Sequence, residues 1–398
     1  MDYDKIISER CQGLKPSGIR KFFDIAATMD NVISLGVGEP DFPTPWAIRH
    51  VAINTLEKKK TVYTANAGLI ELRRSIAKYT KRKINVEYDP EKEIIVTVGG
   101  SEAIDLGIRA LVNPGDEVLI VEPCFMCYAP IVELTCGIPV SIETKAENEF
   151  KLTAEELKAK ITDKTKLLIL PYPNNPTGAI MTKEELEPIA EVLRDTNIMV
   201  LSDEIYSELT YGGNRHCSIT ELDGMKERTL LVNGFSKAFA MTGWRLGYIA
   251  GPAPIIKQML KIHQYAIMSS PTISQYAAIE ALEACDNEVE KMVNEYNVRR
   301  RWLVNALNEI GLTCFEPKGA FYVFPSIKST GLTSQQFCDR LLFGHKVAVV
   351  PGDAFGECGE GHIRISYAYS LKHLMEAVSR ISEFLNEIKK AKDENNDS

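Results

Sequence analysis

Apolar residues recur along this chain in two alternating rhythms. Short runs rich in β-branched residues read as strands: Val32–Leu35, Ile94–Val98, Glu117–Val121, Lys166–Leu170, Ile198–Leu201, Thr229–Val232 and Arg245–Ala250. Between them, apolar positions three and four apart predict helices. One runs from Pro45 to about Lys58, one carries Leu69, Leu72, Ile76 and Tyr79, and one passes through Ile104, Ile108 and Leu111. Another spans Thr182 to about Arg194 and opens on a Thr182-x-x-Glu185 capping box, and a long helix starts near Pro254. Strand–helix alternation over about 45–255 predicts an α/β fold, a mostly parallel sheet with helices on both faces.

From about residue 285 the rhythm changes. A helix containing Arg299–Trp302 leads to a strand at Gly319–Phe324, then a helix near Ser334–Leu342 and a strand at Val347–Val350. A glycine-rich loop, Pro351–Gly356, a strand at His362–Ser366 and a last helix from Leu371 to about Ile388 come next. This predicts a smaller α+β domain, completed by the N-terminal segment with its amphipathic Ile19–Phe23 piece. The expected division is a large domain at 45–284 and a small one made of 1–44 and 285–398, with the polar tail Lys389–Ser398 disordered.

Composition narrows the function. The 398 residues carry a net charge of −8, which argues against a nucleic-acid partner. The basic runs Lys58–Lys60 and Arg299–Arg301 read as solvated helix faces. No signal peptide and no apolar stretch long enough for a membrane span is visible. Nine cysteines without a disulfide framework read as reduced cytoplasmic thiols. Cys124 and Cys127 form a CxxC, but no second pair completes a metal site, so no metal is expected.

The chemistry centres on NGFSKAFAMTGWRLGYIAG, Asn233 to Gly251. Lys237 is followed by Ala238, Phe239, Ala240 and Met241, poor company for a solvated charge. Desolvation lowers an amine's pKa, and a neutral amine can form a Schiff base with a carbonyl. Ser236 beside it and Arg245 eight residues on would suit a ligand with both an aldehyde and a phosphate, such as pyridoxal 5′-phosphate.

Other positions admit two readings. Gly99-Gly100-Ser101-Glu102 follows a strand and opens a helix, which makes either an anion site or a helix that Ser101 simply caps. Gly38, in the Gly36–Pro43 loop, permits close approach of a ligand or marks a plain turn. Asp203 ends a strand and is a helix cap or a functional carboxylate; Arg364 lies between apolar neighbours and needs an internal salt bridge or a ligand anion. Phe125 and Tyr63 alone would be ordinary packing aromatics. In open α/β sheets ligands bind beyond the carboxyl ends of strands, and Ser101, Asn175, Asp203 and Lys237 all fall at or just after such ends.

Taken together, the Gly36–Pro43 loop, Pro123–Phe125, Asn175–Gly178, Asp203–Tyr206, the Lys237 segment and Arg364 resemble the class I/II aminotransferases of pyridoxal-phosphate fold-type I, most of all the aromatic and broad-specificity subgroup. The resemblance implies that Lys237 holds the cofactor as a Schiff base and shuttles the proton, while Asp203 pairs with the pyridine nitrogen. Asn175 and Tyr206 would serve the ring oxygen, and Phe125 would stack on the ring. Gly100, Ser101, Glu102, Ser236 and Arg245 would surround the phosphate, with Tyr63 reaching across a homodimer interface. Gly38, Asn175 and Arg364 would bind the substrate, the last gripping its α-carboxylate. Some members carry Ser or Thr three residues before the lysine; this chain has Gly234.

The implied activity is ping-pong transfer of an amino group from an L-amino acid to a 2-oxo acid. A C–S β-lyase on the same fold is the alternative, since a shared fold and cofactor do not determine the reaction. A sensor domain in a regulator would need a DNA-binding module, and no basic N-terminal extension is present. No second arginine is securely placed for an acidic side chain. Ile19, Phe22, Tyr63 and Phe355 could line an apolar pocket, which favours aromatic or mixed substrates and leaves aspartate and glutamate open.

Overall fold

The computed structural model describes residues 1–14 and 28–396. The Ile19–Phe23 piece, and with it Ile19 and Phe22, lies outside the described residues. A seven-stranded sheet organises the chain: β1 (Ile94–Thr97), β2 (Glu117–Glu122), β3 (Ile138–Glu143), β4 (Thr165–Leu170), β5 (Met199–Asp203), β6 (Thr229–Gly234) and β7 (Gly247–Ala250), in the spatial order β1-β7-β6-β5-β4-β2-β3. β2 to β6 are mutually parallel, and β7 runs antiparallel to both β1 and β6.

The strand interiors are continuous apolar runs because both faces are covered. Successive residues of β4 alternate between two cores. Leu168 and Leu170 pack with Val200 of β5 and with Leu186, Ile189 and Leu193 of helix α2 (Lys183–Arg194). Leu167 and Ile169 pack on the other side with Leu201, Leu230 and Val232, and with Ile104 and Ile108 of α1 (Gly99–Leu111). Each fully buried leucine or isoleucine contributes roughly 1.5–3 kcal/mol. The predicted capping box of α2 is complete, with Thr182 and Glu185 each bonding the other's backbone N–H.

Two smaller sheets lie outside this one. Ile33–Ser34 pairs in parallel with Val347–Ala348, so the N-terminal segment is hydrogen-bonded into the C-terminal third. Val350–Pro351 pairs antiparallel with Ile363–Ser366, which pairs with Tyr322–Val323. The single strand expected at Val347–Val350 is therefore two pieces in two sheets. Pro351, lacking an N–H, sits on an outer strand of the second, where a missing donor is tolerated.

Three other expectations are corrected. Arg299 and Arg300 are buried: Arg299 pairs with Asp41 at 2.7 Å and Glu295 at 3.0 Å, and Arg300 with Glu316 at 2.8 Å. Helical periodicity left them on a polar face, but that face meets other parts of the chain, which supply Asp41 and Glu316, while Glu295 comes from the same helix. The described part of the tail is helical: the last helix spans Leu371–Asn396, and Lys392 Nζ donates to Ser329 O at 3.0 Å. The strand expected from Arg245 begins at Gly247, because Arg245 adopts a φ of 50° that ends extended backbone.

Candidate active site

The carboxyl ends of the parallel strands open onto a cavity of about 790 Å³. Gly38, Gly100, Ser101, Phe125, Asn175, Asp203, Tyr206, Ser236, Lys237, Arg245, Phe355 and Arg364 all line it. β1 delivers Gly100 and Ser101, β4 delivers Asn175, β5 ends on Asp203, and β6 leads into Ser236 and Lys237. Arg245 joins them because β7 is reversed, so the residues before it lie at the same sheet edge.

The Lys237 turn is held from beneath and from the side. Phe235, Phe239 and Met241 are buried in the core. Ala240 and Arg245 both take φ of 50°, a left-handed conformation costly for residues with a side chain. Thr44 Oγ1 donates to Ala240 O at 2.5 Å and accepts from Trp244 Nε1 at 3.0 Å, pinning the turn. Lys237 Nζ donates to Gly38 O at 2.5 Å. Burial lowers its pKa to about 8; Glu39 opposes that shift, while the cations Arg364 and Arg245 add to it.

Asp203 is also buried, and burial raises its carboxyl above the usual carboxylate range, opposed by two hydrogen bonds. Oδ2 accepts from Tyr128 Oη at 2.7 Å, and Oδ1 from the Ile205 N–H at 3.2 Å. That second bond caps a short turn, not the helix the sequence suggested. The Tyr206 hydroxyl lies 2.8 Å from that of Tyr322.

Arg364 sits in the strand Ile363–Ser366, buried, with no carboxylate partner among the described residues. Nη1 donates to Asn175 Oδ1 at 2.8 Å and Nη2 to Gly36 O, while Nε has no hydrogen-bond partner. The guanidinium lies 4.5 Å from the Tyr322 ring centroid and 4.9 Å from that of Phe355. A buried cation without a counter-charge is costly and suits an incoming anion. An internal salt bridge, the alternative from sequence, is not what holds it.

The glycines are sites of close approach. A Cβ on Gly38 would strike the Tyr322 hydroxyl, so glycine is required here by the approach of that side chain. One on Gly99 would lie 2.7 Å from Arg245 Nη2. α1 begins at Gly99 with Val98 as its N-cap and no side-chain cap, so Ser101 lies inside the first turn and does not cap. The Glu102 carboxylate turns away from the cavity, accepting from the Val98 N–H and pairing with His263 Nδ1 at 2.6 Å, while its backbone stays in the first turn of α1.

Gly247 stands where β1, β6 and β7 meet, and a Cβ there would lie 2.7 Å from Gly99 C and 2.8 Å from Gly100 N. Gly247→Ala is expected to cost about 1–3 kcal/mol, because the atoms it strikes are backbone. Urea unfolding would measure it, and an unchanged midpoint would refute the close approach.

A family model described as aminotransferase class I and II matches residues 30–381. The chain belongs to this family. An aspartate aminotransferase of Pyrococcus abyssi is 50% identical over 385 residues, covering 96% of this chain and 99% of its own. Aromatic-amino-acid aminotransferase 2 of Thermococcus litoralis is 46% identical over 385 residues, with 96% and 99% covered. The crystal structure of an aromatic aminotransferase from Pyrococcus horikoshii superposes with a TM-score of 0.89 at 48% identity, covering 92% of this chain and 99% of that one. The chain is thus an enzyme, an aminotransferase with the α/β fold of that family.

In this aminotransferase Tyr63 is 80% exposed and does not line its own chain's cavity, so it is not the half-buried packing aromatic it would otherwise be. All nine cysteines, Cys124 and Cys127 included, are free thiols. No group of three or more metal-ligating side chains occurs among the described residues, and no described helix is long and apolar enough to cross a membrane. The sequence reading missed Tyr128, Tyr322, Glu39 and the Gly36 carbonyl. Tyr322 had one signal, its place among alternating residues of a strand that also carries Phe321 and Val323, but nothing marked its face.

Proposed function

We propose that this aminotransferase works with pyridoxal 5′-phosphate and that its substrates are aromatic or mixed L-amino acids and the matching 2-oxo acids. The observation that carries this reading is a buried lysine amine with a pKa near 8 in one cavity with a buried carboxylate and two arginines. The partnerless Nε of Arg364 and the Arg245 guanidinium packed close against Gly99 at the start of α1 fit anionic groups at two places in the cavity.

Lys237 would hold the cofactor covalently, and Asp203, kept in place by Tyr128, would pair with its ring nitrogen. Gly100, Ser101, Ser236 and Arg245 would hold the phosphate, Phe125 would stack on the ring, and Asn175 with Tyr206 would serve the ring oxygen. When bound, the cofactor supplies an electrophilic carbon and a protonated ring that takes up electron density. Arg364, with Asn175 and the Gly38 loop, would fix the substrate's α-carboxylate. Lys237 Nζ, neutral once released, would take the proton from the substrate's Cα and deliver it to the cofactor's electrophilic carbon. A second, 2-oxo acid substrate then reverses the sequence, which gives ping-pong kinetics.

Phe355 and Phe125 give the cavity apolar walls, and the cations lining it among the described residues are Lys237, Arg245 and Arg364 alone, each with a role above. Glu39 lines it too and disfavours acidic side chains. The relatives bear both aspartate and aromatic names, so breadth is part of the proposal. Tyr63 would reach a partner copy's phosphate site in a homodimer; its exposure, with that of its chain neighbour Val62, supports an apolar contact there. The division into 45–284 and 1–44 with 285–398 is supported by the pairing of Ile33–Ser34 with Val347–Ala348. Free thiols support a reducing, cytoplasmic setting.

The test is the visible spectrum of the purified protein with pyridoxal phosphate, before and after single amino acids. Phenylalanine and tyrosine are expected to discharge a yellow band with one 2-oxo acid released per site. No band at all would overturn the cofactor. Pyruvate and ammonia accumulating from a sulfur amino acid would favour the lyase. Turnover of aspartate and glutamate with none of phenylalanine or tyrosine would sink the aromatic preference.

A further inference from the structure

We propose that Tyr322 is a positioning residue that locks the Tyr206 hydroxyl and the Arg364 guanidinium into one arrangement around Lys237. The inference rests on the roles just proposed for Tyr206 and Arg364 and extends them to a residue outside that set.

Tyr322 is 1% exposed and lies on the strand Tyr322–Val323, opposite Ser366 and so two residues along from Arg364. It meets three groups at once. Its hydroxyl lies 2.8 Å from that of Tyr206. Its ring faces the Arg364 guanidinium at 4.5 Å. Its hydroxyl also sits against Gly38, where a Cβ would collide with it. The Gly36 and Gly38 carbonyls in turn accept from Arg364 and Lys237. One side chain therefore touches the group facing the cofactor, the group facing the substrate, and the loop joining them.

The chemistry is directional. A phenol carries a single proton. If Tyr206 donates to a ligand oxygen, its own oxygen must accept, and Tyr322 is the donor within reach. Donation into Tyr206 polarises its O–H and strengthens the outgoing bond. The ring does separate work: it holds the guanidinium plane by a cation–π contact, which desolvation strengthens.

The hydroxyl and the ring can be tested apart in the holoenzyme. Tyr322→Phe removes only the hydroxyl. It is expected to lower kcat about tenfold, the effect of one buried hydrogen bond, with KM changed less than about twofold. The pH midpoint of the bound cofactor's absorbance should move upward, because a weaker Tyr206 donor stabilises a charged ring oxygen less. Affinity for 3-phenylpropanoate, an unreactive carboxylate, should hold. Tyr322→Leu removes the ring as well and should also weaken 3-phenylpropanoate binding, by about tenfold. Tyr322→Phe with wild-type kcat and midpoint overturns the role of the hydroxyl, and Tyr322→Leu with wild-type affinity for 3-phenylpropanoate overturns that of the ring. Wild-type protein run alongside separates the failures. Coloured, active wild type beside unaffected variants overturns only the positioning role, whereas colourless wild type overturns the reading beneath it too.

Discussion

Lys237→Ala is expected to abolish multiple-turnover transamination, a fall of at least about a thousandfold, while leaving the fold intact. Among the described residues lining the cavity, the amine is the one group whose lowered pKa lets a neutral nucleophile exist near neutral pH. Asp203 is too committed to Tyr128 and the Ile205 N–H to take its place. Stability should move the other way. A folded-state pKa of about 8 lies below the ~10.4 of an unfolded lysine, so folding disfavours the charged form. The cofactor-free wild type carries that cost fully below pH 8 and sheds it as pH rises towards ~10.4. The alanine variant carries none. Its melting temperature at pH 7 should match or exceed that of the cofactor-free wild type, and any gap should close above about pH 10. Retained multiple-turnover activity would remove Lys237 from its role, and a collapsed melting temperature would show that the turn depends on its bond to Gly38.

The sequence displayed the sheet and its functional edge because a parallel sheet covered on both faces leaves an unmistakable trace. Runs such as Leu167–Leu170 and Leu230–Val232 are apolar at every position, and each gives way to a turn marked by proline, asparagine or glycine. Residues at or just past those ends, Ser101, Asn175, Asp203 and Lys237, could be nominated from position alone. Arg245 could be nominated for its charge near Lys237 but not for its place at that edge, which depends on the reversal of β7 that periodicity does not encode.

The residues that were missed share a physical property: they act through contacts made at long range. Tyr128 reaches Asp203 across 75 positions and Tyr322 reaches Tyr206 across 116. Each is a tyrosine in an apolar stretch, indistinguishable from core packing until its hydroxyl finds a partner. The Glu102 side chain was equally illegible: nothing local shows that its carboxylate accepts from the Val98 N–H and pairs with a buried histidine. Arg299 and Arg300 were misread because helical periodicity shows which residues share a face and not what covers it.

Arg364→Leu is expected to raise KM for amino acids and 2-oxo acids about a hundredfold to a thousandfold, with a smaller effect on kcat. Two of the guanidinium's nitrogens donate to neutral oxygens, the third has no partner, and no carboxylate among the described residues neutralises it. Burial has already lowered its pKa, a sign that the folded protein holds the charge at a cost. A substrate carboxylate would supply both the missing acceptor and the missing charge. Losing a charge-assisted, two-pronged contact in a buried site costs about 3–5 kcal/mol, which is the size of effect expected. The same reasoning predicts little loss of stability, since leucine removes an uncompensated cation from an apolar surround; the freed Asn175 can turn to water in the cavity. Arg364→Lys should fall between, because an ammonium keeps the charge without the fork. The control is a substrate lacking the α-carboxylate, such as a primary amine. If its kcat/KM falls in Arg364→Leu as far as that of phenylalanine, the arginine supports the site's architecture and does not grip the carboxylate.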